Sequence, residues 1–212
     1  MEIGGKSTDG PVSRYINRRV STRITRFIVA HGLPITPNQV SLLSMLLAVA
    51  GGAAFLYGVE WLGGLLVEIA SIVDGVDGEL ARARGVASPV GGFVDAVLDR
   101  FADAAIIAGI VVAYYPSMGI QDVAVGLAAL LGDLMVSYLH ARGEASLGIH
   151  PSRIGRIPLF ASRDVRLFIL FLGGLLGAAF TALYLVSAIS LAYVALKTAE
   201  IYVLLGRASR GG

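Results

Sequence analysis

The sequence predicts an all-α, polytopic membrane protein with six transmembrane helices and an N-terminal amphipathic helix at the membrane surface. Of its 212 residues, 56% are hydrophobic and 15% are charged, and the mean hydropathy is +0.76. Soluble domains carry roughly 45–50% apolar and about 25% charged residues. The chain has no cysteine, which excludes disulfides and thiolate metal sites. Its net charge of +2 gives no indication of nucleic-acid binding.

A polar, basic segment precedes the apolar part and divides the chain into a cytoplasmic juxtamembrane segment, residues 1–36, and a membrane domain, residues 37–212. Apolar side chains recur in this segment at nearly helical spacing: Tyr15, Ile16, Val20, Ile24, Phe27 and Ile28. With arginines between them, this pattern is typical of an amphipathic helix on an anionic membrane surface, and a soluble helical hairpin is the alternative. Pro34 and Pro37 end the helix.

Six apolar stretches follow, each about as long as the 20 residues that a helix needs to cross a bilayer. They are Val40–Tyr57, Trp61–Ala81, Val90–Tyr115, Gln121–Leu139, Val165–Ala179 and Leu183–Leu205. Lysine and arginine are absent from every second connection and are concentrated in the others and in both terminal segments. The positive-inside rule therefore predicts a multi-pass cell-membrane protein with both termini in the cytoplasm.

Five aspartates lie near the cytoplasmic ends of the second and third stretches: Asp74, Asp77, Asp95, Asp99 and Asp103. Ionisable side chains within membrane segments are costly and usually functional. Asp74 and Asp77 are three residues apart and share a helix face, as do Asp95 and Asp99, which are four apart. The hairpin between the two stretches brings these pairs together. Converging carboxylates in a low-dielectric site either become protonated or bind cations.

The ligand chemistry favours hard divalent cations, because the cluster offers only oxygen atoms. Two Mg²⁺ ions are predicted, and Mn²⁺ or Ca²⁺ could occupy the same site. Such ions usually complete their coordination with substrate phosphate, so a phosphoryl or pyrophosphate substrate is expected. Small residues beside the aspartates leave room for a bulky ligand: Gly75, Gly78, Ala81, Gly91 and Gly92.

These residues form a spaced motif, Asp74-x-x-Asp77-Gly78-x-x-Ala81-Arg82, eight residues, then Gly91-x-x-x-Asp95-x-x-x-Asp99. The motif resembles the signature of the CDP-alcohol phosphotransferase (phosphatidyltransferase) superfamily, with all eight defining positions present. The six spans and the basic N-terminal helix are also features of that superfamily. The resemblance therefore covers essentially the whole chain.

The resemblance implies an enzyme that catalyses displacement at the β-phosphorus of a CDP-alcohol by an acceptor hydroxyl, which releases CMP and forms a phosphodiester. The implied metal ligands are Asp74, Asp77, Asp95 and Asp99. Asp99 is also the implied general base that deprotonates the attacking hydroxyl. The implied nucleotide-binding positions are Gly78, Ala81, Arg82 and Gly91. Asn38, at the start of the first stretch, is expected either to contact the nucleotide or to cap the helix.

The connection between the fourth and fifth stretches is rich in arginine. Several guanidinium groups are expected on the same side of the membrane as the aspartate cluster. They favour an anionic acceptor substrate, such as a sugar or inositol phosphate. The residues predicted to bind the acceptor phosphate are Arg153, Arg156 and Arg163. The alternative is that these charges only set the membrane topology.

A second resemblance concerns the N-terminal run from Lys6 to Arg19, together with Thr36-Pro37-Asn38-Gln39. It is similar to the membrane domain of di-myo-inositol-phosphate-phosphate synthases. That similarity implies CDP-inositol as the donor and inositol 1-phosphate as the acceptor. Many members of that family carry a soluble cytidylyltransferase domain ahead of the membrane part. This chain is therefore expected to be either a stand-alone enzyme or a piece of a larger bifunctional one.

Other functions are alternatives. A phospholipid synthase would combine CDP-diacylglycerol or CDP-archaeol with inositol phosphate or glycerol phosphate, and it would need an apolar groove between helices. A prenyltransferase would leave Gly78, Arg82 and Gly91 unexplained. A cation transporter would hold its carboxylates near the midplane of the membrane rather than at one boundary. Glycine pairs such as Gly51-Gly52 and Gly63-Gly64 indicate close helix packing or a homodimer face.

Three further intramembrane acids are expected to have structural roles. Asp103 departs from the signature and is expected to pair with Arg100 or with a neighbouring helix. Glu68 and Asp133 are expected to be buried and hydrogen-bonded.

Overall fold

The computed structural model describes residues 9–115 and 119–208, with side chains as far as Gly206. The regular structure in these ranges is helical, and the α-helices are α1 (Arg18–Ala30), α2 (Pro37–Leu56), α3 (Glu60–Ala83), α4 (Pro89–Tyr114), α5 (Ile120–Leu147), α6 (Arg163–Leu175) and α7 (Ala179–Ala208). A π-helical turn, Ser13–Asn17, leads directly into α1, and a 3-10 turn, Pro151–Arg153, lies between α5 and α6.

Local sequence signals determine where the helices begin. Thr36 caps α2 through a capping box, in which its hydroxyl accepts from the Gln39 N–H at 3.3 Å and the Gln39 side chain accepts from the Thr36 N–H at 2.9 Å. Ser88 caps α4 by accepting from the Gly91 N–H at 3.0 Å. A proline follows each cap. Proline has no backbone N–H, and at the first position of a helix this costs nothing because an N–H there would have no partner within the helix. The capping role considered for Asn38 therefore belongs to Thr36.

Helices α2 to α7 share one hydrophobic core. Buried side chains come from all six helices, including Ala48, Phe55, Val67, Ala70, Ile106, Ile110, Ala129, Leu167, Leu170 and Leu183. Helix α2 packs against α3 and α4, α3 against α6, and α5 against α7. Tight turns with glycines at positive φ, Gly58 and Gly177, connect α2 to α3 and α6 to α7. The bundle therefore places the α3–α4 connection and the α5–α6 connection at the same end.

Glycines allow the backbones of two pairs of helices to come into direct contact. A Cβ atom at Gly109 of α4 would lie 2.1 Å from the Gly52 carbonyl oxygen of α2, and one at Gly52 would lie 2.5 Å from the Ala105 carbonyl oxygen. A Cβ atom at Gly64 of α3 would lie 2.6 Å from the Phe171 carbonyl oxygen of α6. The close helix packing predicted at the glycine pairs is confirmed at these contacts.

Gly109→Ala is expected to destabilise the bundle, because the added methyl group would collide with a helix backbone that cannot rotate away. Overpacking of this kind costs about 1–3 kcal/mol. Thermal unfolding in detergent, followed by circular dichroism, should give a melting temperature lower by about 2–12 °C. Gly92→Ala on the same helix is the control, since a Cβ atom there has nothing within 4 Å. Equal melting temperatures for the two variants would contradict the prediction.

The six predicted apolar stretches correspond to α2–α7, and their boundaries need two corrections. Helix α5 continues to Leu147 rather than ending at Leu139, because the chain turns only at Gly148, which adopts a φ of +69°. Helix α6 ends at Leu175, and Ala179, predicted to end the fifth stretch, begins α7. Arg142 therefore lies on α5 and not in the connection. Lys6, Arg210 and residues 116–118 of the third connection lie outside the described residues.

Three of the described helices are long and apolar enough to cross a membrane: Pro37–Leu56, Ile120–Leu147 and Ala179–Gly206. Helices α3 and α4 have sufficient length, 24 and 26 residues, but their acidic residues reduce the apolar character. Helix α6 has 13 residues, which corresponds to about 20 Å of helix. Length and composition therefore support an all-helical membrane protein.

Helix α1 packs its polar side against the bundle. Asn17, Ser21 and Thr25 are buried, and their neighbours are on α3. Most of the predicted apolar stripe faces outward, with large exposed side chains at Tyr15, Ile16, Val20, Ile24 and Phe27. Ile28 is the member of the stripe that packs inward, against residues of α2 and α3. Helix α1 thus turns a polar side inward, and the side that it leaves exposed is apolar and basic.

Candidate active site

Acidic side chains from α3 and α4 meet where the connection 84–88 joins the two helices. Asp74, Asp95 and Asp99 each offer a carboxylate oxygen, and these three oxygens lie within 4.8 Å of one another. The spacing of four residues on α4 directs Asp95 and Asp99 to the same side of that helix. The Asp77 carboxylate neighbours that of Asp95. The structure thus brings the four predicted metal ligands into one cluster.

The carboxylates of Asp77 and Asp95 are in different environments. Asp77 is buried and accepts hydrogen bonds from the Ser41 hydroxyl and the Gly78 N–H. Asp95 Oδ1 is also buried, and no residue that the structure describes donates a hydrogen bond to it. A buried acceptor without a donor is costly. The orphaned oxygen therefore indicates a positively charged ligand.

Arg163, the first residue of α6, lies against the acidic cluster. Its Nη1 atom lies 3.2 Å from Asp74 Oδ2 and 2.8 Å from Asp99 Oδ1, and its Nε atom lies 2.9 Å from Asp103 Oδ1. Asp103 is 2% exposed and also pairs with Arg100 Nη2 at 3.0 Å. The pairing predicted for Asp103 is confirmed. One planar guanidinium group therefore links α6 to both acidic helices.

A second buried ion pair lies next to this cluster. Arg166 Nη2 lies 2.7 Å from Asp133 Oδ1, and both residues are buried. Arg100 Nη1 lies 3.5 Å from Asp133 Oδ2 and donates to the Ser137 hydroxyl. The buried, hydrogen-bonded environment predicted for Asp133 is confirmed. Through Arg100, the α5 side of the site is connected to the acidic helices.

Glu68 departs from its prediction. It is buried on α3, but neither of its carboxylate oxygens has a hydrogen-bond partner among the described residues. Its charged neighbour is Asp164, a second acid, which offers no donor in its ionised form.

The acidic cluster opens into a polar cavity of about 300 Å³. Helices α3 and α4 contribute Asp74, Asp77, Gly78, Arg82, Asp95 and Asp99. The α5 side and the start of α6 contribute Ser137, His140, His150, Ser162, Arg163 and Arg166. The N-terminal segment contributes Asp9, Gly10, Ser13 and Arg18. Three parts of the chain that are distant in sequence therefore share one polar space.

The N-terminal wall of the cavity is held by specific contacts. The Ser13 N–H donates to Asp164 Oδ2 at 2.6 Å, which ties the segment to the start of α6. Arg18 pairs with Asp9 at 3.0 Å and with Glu79 of α3 at 2.8 Å. The basic segment predicted to lie beside the membrane is thus also a part of the site.

The predicted nucleotide-binding residues divide into two groups. Gly78 and Arg82 line the cavity, and a Cβ atom at Gly78 would lie 3.2 Å from Arg82 Nη1. Gly91 and Asn38 do not line it but lie close together, because a Cβ atom at Gly91 would lie 3.8 Å from Asn38 Oδ1. Ala81 is partly buried on α3 outside the lining.

The three predicted acceptor arginines also separate. Arg163 lies at the aspartates, whereas Arg153 and Arg156 are exposed in the connection before it. The Arg156 N–H donates to Glu200 of α7, beside a different surface groove. The sequence places Arg166 at the end of the same basic connection but does not single it out; it follows Arg163 by three residues and so shares a face of α6. His140 and His150 belong to the same basic region, and their place in the cavity depends on the course of the α5–α6 connection.

The donor set of the cluster fits the predicted metal. Carboxylate oxygens are the ligands that hard divalent cations prefer in proteins. Three of them lie within 4.8 Å of one another, and the buried Asp95 oxygen without a donor supports the same conclusion. The residues that would hold the ion are Asp74, Asp77, Asp95 and Asp99.

Together, the apolar helices and the acidic cavity with its adjoining arginines define the class: an all-helical membrane protein with a polar, acidic site at one end of the bundle. The chain belongs to the CDP-alcohol phosphatidyltransferase family, whose sequence profile matches residues 34–205. The family predicted from the aspartate motif is thus confirmed.

Several curated relatives are similar over most of the chain. A bifunctional IPC transferase and DIPP synthase from Rubrobacter xylanophilus is 53% identical over 82% of this chain and 38% of its own length. One with the same name from Archaeoglobus fulgidus is 36% identical over 93% of this chain and 40% of its own length. The chain thus spans about two fifths of these relatives. An archaetidylinositol phosphate synthase from Pyrococcus horikoshii is 34% identical over 74% of this chain and 79% of its own length.

Solved structures share the fold. The phosphatidylinositol phosphate synthase of Mycobacterium tuberculosis with CDP-DAG bound superposes with a TM-score of 0.71 at 26% identity, covering 87% of this chain and 94% of that chain. The same enzyme in complex with manganese and citrate gives 0.71 at 27% identity, covering 86% and 89%. A structural relative of this chain therefore contains a divalent metal, in agreement with the ligand chemistry of the cluster.

Proposed function

We propose that this chain transfers phosphoinositol from CDP-inositol to inositol 1-phosphate, releasing CMP and forming di-inositol phosphate phosphate. The observation that carries the proposal is the cavity, in which four signature aspartates open toward the arginines of α6. Its lining is mostly polar or charged, which suits two hydrophilic substrates. The 53% identity to a relative named as a DIPP synthase supports this choice of substrates.

Phosphoryl transfer requires neutralised phosphate charge and an aligned nucleophile. Two divalent ions held by Asp74, Asp77, Asp95 and Asp99 would supply the neutralisation and stabilise the leaving CMP. Asp99 accepts the proton of the acceptor hydroxyl as its oxygen attacks the β-phosphorus, and the bond between that phosphorus and the CMP oxygen breaks. The proton remains on Asp99 until it passes to solvent.

Arg163 connects acceptor binding to this step. Its Nη1 atom lies 2.8 Å from Asp99 Oδ1, so an acceptor phosphate paired with Arg163 holds the acceptor beside the general base. Arg166, on the same face of α6, adds a second positive charge. Arg153 and Arg156 are exposed in the connection that precedes α6. From there their positive charges would attract the anionic acceptor before it binds.

The nucleotide is proposed to lie along the turn of α3 that follows Asp77 and the turn of α4 that precedes Asp95. Gly78, Ala81 and Gly91 leave space for the cytidine, Arg82 faces its phosphates, and Asn38 beside Gly91 contacts the nucleotide.

We also propose the full membrane arrangement, with α2–α7 as six spans and both termini and the cavity on the cytoplasmic side. Residues 1–36 would then form the juxtamembrane segment and residues 37–212 the membrane domain. The exposed side chains of Tyr15 and Phe27, 64% and 57% accessible, suit an α1 whose outer face rests on lipid, with arginines contacting anionic headgroups. A homodimer in the cell membrane is part of this proposal.

A second candidate is a phospholipid synthase that uses CDP-diacylglycerol or CDP-archaeol with an inositol or glycerol phosphate. The structural similarity to a phosphatidylinositol phosphate synthase with bound CDP-DAG favours it. The two candidates differ in the donor alcohol and share the reaction.

A CMP-release assay separates the candidates. Purified protein with Mg²⁺ is incubated with CDP-inositol or CDP-diacylglycerol, each with inositol 1-phosphate. CMP release with CDP-inositol, abolished by EDTA and restored by Mg²⁺, is the expected result. Release with CDP-diacylglycerol alone would transfer the assignment to the lipid candidate, and release with neither would refute the CDP-inositol proposal and the CDP-diacylglycerol form of the lipid candidate.

A further inference from the structure

Two histidines form a wall of the cavity that the reaction described above does not use. His140, near the end of α5, and His150, in the connection that follows, both line the cavity together with the aspartates. Their rings are in contact, tilted by 40° to each other at a centroid distance of 4.6 Å. The third histidine of the chain, His31, is exposed at the end of α1 and contacts Phe27.

Each ring is oriented by the protein. His140 Nε2 lies 2.9 Å from the hydroxyl of Tyr193, a fully buried residue of α7. The backbone N–H of Ser152 donates to His150 Nδ1 at 3.3 Å. The same Nδ1 atom also lies 2.7 Å from the Ser152 hydroxyl, so both contacts of His150 with Ser152 engage this nitrogen. One nitrogen of each ring is thus engaged by the protein. Within the described part of the chain, no residue hydrogen-bonds Nδ1 of His140 or Nε2 of His150, which leaves these two atoms for a ligand.

The surroundings favour the neutral form of His150. Burial lowers the pKa of this ring, and Arg153 lowers it further, although Glu144 opposes the shift. A neutral imidazole provides one donor and one acceptor, which suits the hydroxyl groups of a sugar-like ring. The positive charge needed for a phosphate is already supplied by Arg163 and Arg166, which line the same cavity.

We propose that His140 and His150 are specificity-determining residues that hydrogen-bond the ring hydroxyls of a cyclic polyol phosphate whose phosphate lies at Arg163. This inference rests on the proposed function, since it assigns the acceptor end of the same cavity. It extends that function by separating recognition of the phosphate, through arginines, from recognition of the polyol, through histidines. A short acceptor such as glycerol 3-phosphate reaches the arginines but has few hydroxyls to offer to the histidines.

The test uses His150→Phe, which keeps an aromatic ring and removes the nitrogens. At saturating CDP-inositol, the KM for inositol 1-phosphate should rise about ten-fold, as expected for a lost substrate hydrogen bond, with kcat within about two-fold of the unsubstituted protein. The corresponding constant for glycerol 3-phosphate, as an acceptor or as a competitive inhibitor, should change by less than about two-fold. His150→Gln retains an N–H donor and should recover part of the affinity.

His31→Phe is the matched control and should leave both constants unchanged. Tyr193→Phe removes the hydroxyl that orients His140 and should raise the same KM about three-fold, a change that a purely structural role of Tyr193 would not confine to one acceptor. Equal changes for the two acceptors, or a lower melting temperature with unchanged KM, would overturn the inference.

The failure of the proposed function has a different signature. If the unsubstituted protein releases no CMP with inositol 1-phosphate, the substrate assignment fails. The histidine inference is then decided by calorimetric binding of inositol 1-phosphate alone. Binding that weakens in His150→Phe but not in His31→Phe supports it, and equal or absent binding in all three proteins overturns it.

Discussion

Asp99→Asn is expected to lower kcat for CMP release by about a thousand-fold, within the range of 10²–10⁴ that general-base catalysis contributes. Asparagine has nearly the same shape and keeps one oxygen beside Arg163, which lies 2.8 Å from Asp99 in the unsubstituted protein. It cannot accept the proton of the acceptor hydroxyl. Affinity for the CDP-alcohol donor should therefore change much less than turnover.

The measurement must separate loss of the base from loss of the metal, because Asp99 is also a proposed ligand. Mn²⁺ binding, followed by electron paramagnetic resonance, should persist in Asp99→Asn because Asp74, Asp77 and Asp95 remain. Asp122→Asn is the matched control, since Asp122 lies at the opposite end of α5 from the cavity and bonds the Tyr184 hydroxyl. Turnover by Asp99→Asn within ten-fold of the unsubstituted protein would refute the assignment of Asp99 as the base.

Glu79→Ala is expected to lower the free energy of unfolding by about 3 kcal/mol, at the lower end of the range for breaking a buried ion pair. Glu79 is fully buried. It accepts hydrogen bonds from Arg18 at 2.8 Å, Ser21 at 2.9 Å and Thr25 at 2.7 Å. Truncation leaves these donors of the N-terminal segment and α1 without their acceptor, and the lower value applies because Arg18 is partly exposed.

For a chain of this length, the loss corresponds to a melting temperature about 10 °C lower, measured by circular dichroism in detergent. Glu144→Ala, at an exposed position on α5, should change it by less than about 2 °C. Glu79→Gln keeps an acceptor and should be intermediate. Because Arg18 lines the cavity, Glu79→Ala should also raise the KM for substrates. A melting temperature equal to that of Glu144→Ala would show that the α1–α3 contact does not depend on this carboxylate.

The acidic cluster was predictable because its geometry is local. Asp74 and Asp77 share one helical turn, Asp95 and Asp99 share another, and a short connection joins the two helices. Spacing within helices and one hairpin therefore suffice to bring the carboxylates together. The same reasoning predicted the helical class and the close packing of glycines such as Gly52.

The basic side of the cavity was not predictable to the same degree. Arg153, Arg156 and Arg163 are the same residue type in the same connection, so the sequence does not distinguish them. Only Arg163 lies at the aspartates, because it begins a helix that packs against α3. His140 and His150 meet only because α5 extends to Leu147 and the chain reverses at Gly148. These positions depend on how the helices pack and on the path of the α5–α6 connection. The spacing of apolar residues in the sequence does not predict either.

The amino-acid sequence alone determined the helical membrane class, the family and the clustering of the four aspartates. Hydropathy, the spaced aspartate motif and the helical repeat can each be recognised within short stretches of sequence. The tertiary structure decided which of the distant basic residues complete the cavity and which side of α1 faces inward. The physical reason is burial. Ser21 and Thr25 can turn inward because Glu79 accepts their hydrogen bonds there, and that pairing exists only after α1 and α3 have packed together.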